Sequence, residues 1–121
     1  MRAARDALAG NGYHQTSMVE IAAKAGVAEG TIYKFFDSKR SLLIAILRDW
    51  YHAMISDNQA KMAGVQGTRA RLRVVIWQHL KVIRDDPDLC RLFYSEVRSN
   101  SDYHETELYE LNRQVTQLLV T

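Results

Sequence analysis

The chain has 121 residues, of which 47% are hydrophobic and 25% charged, and its formal net charge is +2. This length suits one domain, or one small domain with part of another, and the weak positive charge does not by itself indicate a nucleic-acid partner. We expect neither a membrane protein nor a secreted protein, and we expect no intrachain disulfide. No apolar run approaches the ~18 residues of a membrane span, the N-terminus lacks the apolar block of a signal peptide, and Cys90 is the single cysteine.

The single proline and the long amphipathic runs predict an all-α protein. A short helix over residues 2–9 is expected to end in the glycine-rich segment 10–12. Ser17 and Glu20 then form the pattern of a capping box, which predicts a second helix that continues to about Ala25.

A tight turn at Gly26 is predicted next, because glycine adopts a positive φ at little cost. A third helix is expected over residues 28–36, so that residues 18–36 have the pattern of a helix-turn-helix. In such a unit the second helix lies in the major groove of DNA. An inward-facing set of small and apolar side chains is expected to pack these helices together: Ile21, Ala22, Ala25, Val27, Ile32, Phe35 and Phe36.

Four further helices are predicted from apolar residues at helical spacing. The first is long and runs to about residue 62. An Asp37–Ser38 cap starts this long helix, and Gly64 and Gly67 end it. The next helix starts at Thr68 and the one after it at Asp86–Pro87, and a loop at residues 99–102 precedes the last helix.

Two apolar stripes on the later helices carry expectations about packing. The helix that begins at Thr68 is expected to bury Leu72, Val75, Ile76, Leu80 and Ile83. The stripe of the last helix continues to the end of the chain, which we interpret as a piece of a longer protein or an end covered by a partner. It consists of Leu108, Leu111, Val115, Leu118 and Leu119.

The segment GVAEGTIYKFFDSKRSLL, with its lead-in GYHQTSMVEIAAKA, resembles the signature of the tetracycline-repressor (TetR) family of regulators. The resemblance covers about residues 7–47. It implies a DNA-binding domain over residues 1–47 and, over residues 48–121, an incomplete helical domain for ligand binding and dimerisation. By the same resemblance the residues that face DNA are Thr16, Ser17, Glu29, Gly30, Thr31, Tyr33, Lys34 and Lys39.

The resemblance also assigns individual roles. Thr16, Ser17, Tyr33 and Lys39 would contact phosphate, and the missing side chain of Gly30 would let the backbone approach DNA. Two interpretations of Glu29 remain: its carboxylate can accept a hydrogen bond from cytosine N4, or it can be a solvated surface group.

Aromatic and soft side chains of the second half are candidate pocket residues, and the alternative for each of them is ordinary core packing. The segment LFYSEVRSNSDYHETELYELNRQ is loosely similar to family members that sense fatty acyl-CoA, which suggests a small hydrophobic ligand. The candidates are Trp50, Met54, Trp77, Leu80, Phe93, Tyr94 and Tyr109.

The function implied is that of a cytoplasmic, homodimeric repressor that a small molecule releases from a double-stranded DNA operator. No cofactor is expected, and His52, His79 and His104 lack metal-ligand spacing. An enzyme is not expected, because Ser95–Glu96 and the aspartates at 85, 86 and 88 have no catalytic spacing. The alternative is a helical protein–protein adaptor that does not bind DNA.

Overall fold

The computed structural model describes residues 2–117 of the chain. Within this range the backbone forms seven α-helices and no strand, which confirms the all-α prediction. The helices are α1 (Arg2–Asn11), α2 (Met18–Ala25), α3 (Glu29–Phe35), α4 (Lys39–Met62), α5 (Thr68–Asp85), α6 (Pro87–Leu92) and α7 (Glu107–Gln117).

The chain divides into two compact units, Met1–Leu47 and Arg48–Thr121. The boundary falls within α4, after its second turn. The first unit therefore contains α1, α2, α3 and the start of α4. The second contains the rest of α4 and the helices α5 to α7.

Local signals set the helix ends of the first unit. Ser17 is the N-cap of α2, and its hydroxyl oxygen accepts a hydrogen bond of 3.1 Å from the Glu20 N–H. Gly26 ends α2 at a φ of +74°, and its N–H donates to carbonyls of the last helical turn. The Ser17 cap and the Gly26 turn are confirmed, because each depends only on residues that are neighbours in sequence.

The core of the first unit confirms part of the predicted inward set. Ile21, Ala22 and Ile32 are buried, and they share the core with Leu8 of α1 and Leu43 of α4. These side chains are contributed by all four helical segments of the unit, so α3 is held mainly through Ile32, its one buried residue.

Three residues of the predicted inward set are exposed, and this part of the prediction is wrong. Phe35 is 75% exposed and Val27 is 42% exposed, and Ala25 also lies at the surface. The reason is the shortness of α3, which has seven residues. Ile32 occupies the inward position, and the residue one turn later on the same face is the half-buried Phe36 rather than Phe35.

The prediction that α5 buries its apolar stripe is also wrong. Leu72, Ile76, Leu80 and Ile83 are each between 45% and 56% exposed, whereas Gln78 is only 3% exposed. Positions two residues from Gln78 are turned by about 200° around the helix. The face that α5 buries is therefore the one that carries Gln78, and Ile76 and Leu80 point away from it.

Aromatic rings form much of the core of the second unit. Tyr51, Phe93 and Tyr103 are at least 95% buried, and Phe93 meets both tyrosines edge to face at 5.5 and 6.0 Å between ring centroids. The Tyr51 hydroxyl donates to Asn112 Oδ1 at 3.3 Å. Burial raises the pKa of Tyr51 above its ordinary value, so its hydroxyl stays protonated and available as a donor.

The segment after α6 departs from the predicted pattern. Leu92 ends α6, and residues Phe93–Arg98 continue as a π-helical segment, followed by a 3₁₀ turn at Tyr103–Glu105. Asp86 precedes α6 as predicted but does not cap it with its side chain. Its carboxylate instead accepts a hydrogen bond of 3.2 Å from Trp50 Nε1. In α7, Leu108 and Leu111 are buried as expected, and Leu118 and Leu119 lie outside the described residues.

Candidate DNA-binding face and helical-unit cavity

Helix α3 presents a surface of small and polar side chains with one carboxylate and one ammonium group, which we call the α3 face: Glu29, Gly30, Thr31, Tyr33 and Lys34. All five residues are exposed, and Tyr33 keeps 43% of its surface accessible. Ile32 is the only buried residue of the helix. One short helix therefore places hydroxyl, phenol, carboxylate and ammonium groups together in solvent, a set of donors and acceptors that can bind base edges and phosphates.

Gly30 has no packing reason to be glycine. It lies in the helix without a positive φ, and a Cβ built on it would meet nothing within 4 Å. Alanine or a larger residue would also favour the helix by about 1 kcal/mol. Nothing inside the first unit therefore explains why the position of Gly30 on the α3 face lacks a side chain.

Lys39 is anchored within the first unit rather than extended into solvent. Its Nζ donates a hydrogen bond of 2.6 Å to the Tyr13 carbonyl oxygen and lies 4.4 Å from the centroid of the Tyr13 ring. This double contact ties the start of α4 to the loop between α1 and α2. The contact between Lys39 and Tyr13 was not predicted, although Tyr13 belongs to the lead-in segment GYHQTSMVEIAAKA that resembles the family pattern.

The two residues predicted at the start of α2 lie in different surroundings. Ser17 is exposed, and its side chain caps α2. Thr16 is 1% exposed, with its hydroxyl 2.7 Å from the Gly12 carbonyl oxygen and 3.3 Å from that of Ala7. The Thr16 side chain therefore stabilises the loop before α2, and the predicted phosphate contact has no accessible side-chain group at this position.

The positive charge of the chain lies in its first unit. Residues 1–47 contain six Lys and Arg against four Asp and Glu, a formal charge of +2, and residues 48–121 contain ten of each. Lys34 lies on the α3 face itself. The first unit therefore attracts polyanions more strongly than the second.

The second unit contains a cavity of about 200 Å³ between α4 and α5, which we call the α4–α5 cavity. Trp50 and Met54, two of the predicted ligand residues, line it together with Asp57, Asn58 and Gln78. The Gln78 Nε2 donates to Asp57 Oδ2 at 2.5 Å, which joins the two helices at this level. The lining of the cavity thus combines apolar and polar side chains.

The other predicted ligand residues do not line this cavity. Trp77 borders a second cavity, of about 330 Å³, beside Lys61 and Arg73. Phe93 is buried in the aromatic core, where Tyr109 is in turn an edge-to-face neighbour of Tyr103. Leu80 and Tyr94 are each 56% exposed.

Asn58 and Gln78 are polar residues of the cavity that sequence reasoning missed. They are 4% and 3% exposed, and the side-chain oxygens Asn58 Oδ1 and Gln78 Oε1 have no hydrogen-bond partner. The sequence could have identified Asn58 as buried, because Asn58 falls at helical spacing between Ile55 and Met62, which are both buried. A polar residue in an apolar register indicates a buried polar contact.

Residues 2–117 contain neither a membrane-spanning helix nor a metal-binding cluster. No helix in this range is long and apolar enough to cross a membrane. In the same range no group of three or more His, Cys, Asp or Glu side chains is arranged to hold a metal ion.

Comparison with known proteins adds to this geometry. Residues 1–46 match the family model described as "Bacterial regulatory proteins, tetR family". The chain is 29% identical over 117 residues to the fatty acid metabolism regulator protein of Bacillus subtilis, a match that covers 97% of this chain and 57% of that protein. It is 30% identical over 92 residues to the HTH-type transcriptional activator FasR of Mycolicibacterium smegmatis, which covers 76% of this chain and 42% of the activator.

A solved structure resembles this chain over nearly its whole length. The transcriptional regulator FadR of Bacillus subtilis, determined in complex with stearoyl-CoA, superposes with a TM-score of 0.73 at 30% identity. The match covers 98% of this chain and 60% of the regulator. The chain therefore spans about half the length of the relatives that it matches.

Proposed function

We propose that this chain, which belongs to the tetR family of bacterial regulatory proteins, is part of a DNA-binding transcriptional regulator. The observation that carries the proposal is the α3 face. A seven-residue helix is anchored through Ile32 and directs small, polar and charged groups into solvent within the stretch that matches the family model.

The two units take different parts in this proposal. Residues 1–47 bind double-stranded DNA, with α3 in the major groove, Thr31 and Lys34 at base edges or phosphates, and Glu29 at a base edge as an acceptor from cytosine N4. Tyr33 and Ser17 contact phosphate. Lys39 acts mainly through Tyr13, by holding the start of α4 against the loop before α2. Residues 48–121 form part of a helical regulatory domain.

The ligand of the proposed regulator is a fatty acyl-CoA or a related small molecule with a long apolar chain. Support comes from the relatives, one named for fatty acid metabolism and one solved with stearoyl-CoA. A ligand shifts the regulator only if it binds one conformation in preference to another. We propose that the regulator is a cytoplasmic, homodimeric repressor and that the ligand releases it from its operator. In the DNA-bound dimer the two α3 helices lie about 34–36 Å apart.

Selection of bound sequences from a random pool of duplex DNA tests the proposed function. We expect the full chain to enrich a defined sequence element, and two inverted copies at a spacing of about 10 base pairs would support a dimer. Failure to enrich any sequence, with the protein shown to be folded, would favour a helical protein–protein adaptor instead.

The salt dependence of DNA binding tests the contact proposed for Lys34. Lys34→Ala should lower the slope of log affinity against log salt by about 0.9, the value for one phosphate contact. Fluorescence anisotropy with a labelled duplex at several salt concentrations measures that slope. Lys61→Ala is the matched control, since Lys61 is exposed but belongs to the second unit, and its slope should equal that of the unchanged protein. Equal slopes for all three proteins would contradict the Lys34 contact.

A further inference from the structure

The first unit carries an exposed apolar patch that the DNA contacts named above do not use. Phe35, the last residue of α3, is 75% exposed, Val27 is 42% exposed, and Ala25 also lies at the surface. All three residues line one surface cavity of about 160 Å³. Isolated apolar residues are common on protein surfaces, whereas neighbouring ones can mark a binding surface. We call these three residues the Phe35 patch.

The Phe35 patch adjoins the α3 face at Thr31. Thr31 and Phe35 are four residues apart on α3, so their side chains are neighbours on one side of the helix. Thr31 is exposed, and it lines the same cavity as the patch. The apolar ring of Phe35 therefore lies beside a residue that the proposed function places against DNA.

The shortness of α3 keeps Phe35 within reach of the bases. The helix has seven residues, and at a rise of 1.5 Å per residue it is about 10 Å long. The major groove of DNA is about 12 Å wide. When α3 lies in that groove, its last residue therefore remains close to base edges as well as its first.

We propose that Phe35, together with the methyl group of Thr31, selects thymine at one position of the operator by contacting its 5-methyl group. In the major groove this methyl is the apolar group that distinguishes thymine, whereas the other bases present hydrogen-bond donors and acceptors. A phenyl ring packed against those polar groups would leave them without partners, which costs free energy. This inference rests on the proposed DNA binding and adds a base preference to it.

Replacement of thymine by deoxyuridine tests this proposal, because deoxyuridine pairs with adenine in the same way but lacks the 5-methyl group. The probe is a labelled duplex of the element that the full chain enriches from a random pool, with its thymines replaced one at a time. We expect at least one replacement to weaken binding about fourfold, the equivalent of about 0.8 kcal/mol for one buried carbon group. Equal affinity at every position would overturn the thymine contact alone, whereas absence of any specific binding would overturn the proposed function as well.

A double-mutant cycle assigns the methyl contact to Phe35. Phe35→Ala should bind the thymine duplex and the sensitive deoxyuridine duplex with equal affinity, since the ring that contacts the methyl group is gone. Ile76→Ala is the control, because Ile76 is an apolar residue of the second unit that is 50% exposed, and it should keep the fourfold difference. A folded Phe35→Ala protein that keeps the full difference would overturn the role of Phe35.

A second variant keeps the test decisive if Phe35→Ala does not fold. Thr31→Ser removes only the methyl group of Thr31 and keeps its hydroxyl, and Thr31 is exposed, so the fold should be retained. The ratio of the affinities for the thymine and deoxyuridine duplexes should fall below that of the unchanged protein. An unchanged ratio would overturn the part of the contact assigned to Thr31.

Discussion

Gly30→Leu should weaken DNA binding at least tenfold, a cost of about 1.4 kcal/mol, while the protein stays folded. In the proposed complex the backbone of α3 approaches DNA at Gly30, and a leucine side chain there would hold the helix away from the groove. Within the protein the same side chain has room, because a Cβ at this position meets nothing within 4 Å. Leucine is also the better helix former, so the free energy of unfolding should rise by about 0.8 kcal/mol.

Gly10→Leu is the matched control for this experiment. Gly10 also lies in a helix without a positive φ, and a Cβ there meets nothing within 4 Å. It is not part of the α3 face. Anisotropy titration of a labelled duplex should show unchanged affinity for Gly10→Leu and a large loss for Gly30→Leu. Equal affinities of the two variants would contradict the close approach of α3 to DNA.

Ile21→Ala should destabilise the first unit by about 2–5 kcal/mol. The Ile21 side chain is 0% exposed, and its truncation removes apolar contacts and leaves a cavity among α1, α2 and α4. This loss is large compared with the total stability of about 5–15 kcal/mol that is typical of a small protein. Urea denaturation followed by circular dichroism measures the change in the free energy of unfolding.

Val19→Ala provides the comparison on the same helix. Val19 lies two residues before Ile21 and is 54% exposed, so its truncation should change stability by less than about 0.5 kcal/mol. The pair isolates burial from helix propensity, since both changes replace a β-branched residue with alanine. A loss of similar size in both variants would show that Ile21 does not have the central packing role given to it here.

Helix ends were largely predictable from the sequence. Ser17, Gly26 and the glycines at 64 and 67 act through hydrogen bonds and φ values of adjacent residues, and the structure places each of them at a helix boundary. The exposed positions of the α3 face were predictable too, because residues 29–34 are polar or small except for Ile32. Asp86 shows the limit of such signals, since its carboxylate bonds to Trp50 instead of capping α6.

The predictions that were wrong concern which face of a helix is buried. In α5 the apolar residues at 72, 76, 80 and 83 have helical spacing, yet the buried residue is Gln78. Periodicity shows only that such residues share one side of a helix. Whether that side is buried depends on the partner helix, and here a hydrogen bond between Gln78 and Asp57 joins α5 to α4 through its polar side. Thr16 is a similar case, because its burial depends on the carbonyl groups of Ala7 and Gly12.

The sequence by itself determined the helical class, the positions of most helix ends and the resemblance of residues 7–47 to one family of regulators. These properties depend on interactions over a few residues, or on a local motif, and both can be read along the chain. Only the tertiary structure decided that Phe35 is exposed, that Lys39 binds to Tyr13, and that Asn58 and Gln78 are buried with unpaired side-chain oxygens. Each of these depends on residues distant in sequence that packing brings together, and no local pattern specifies that packing.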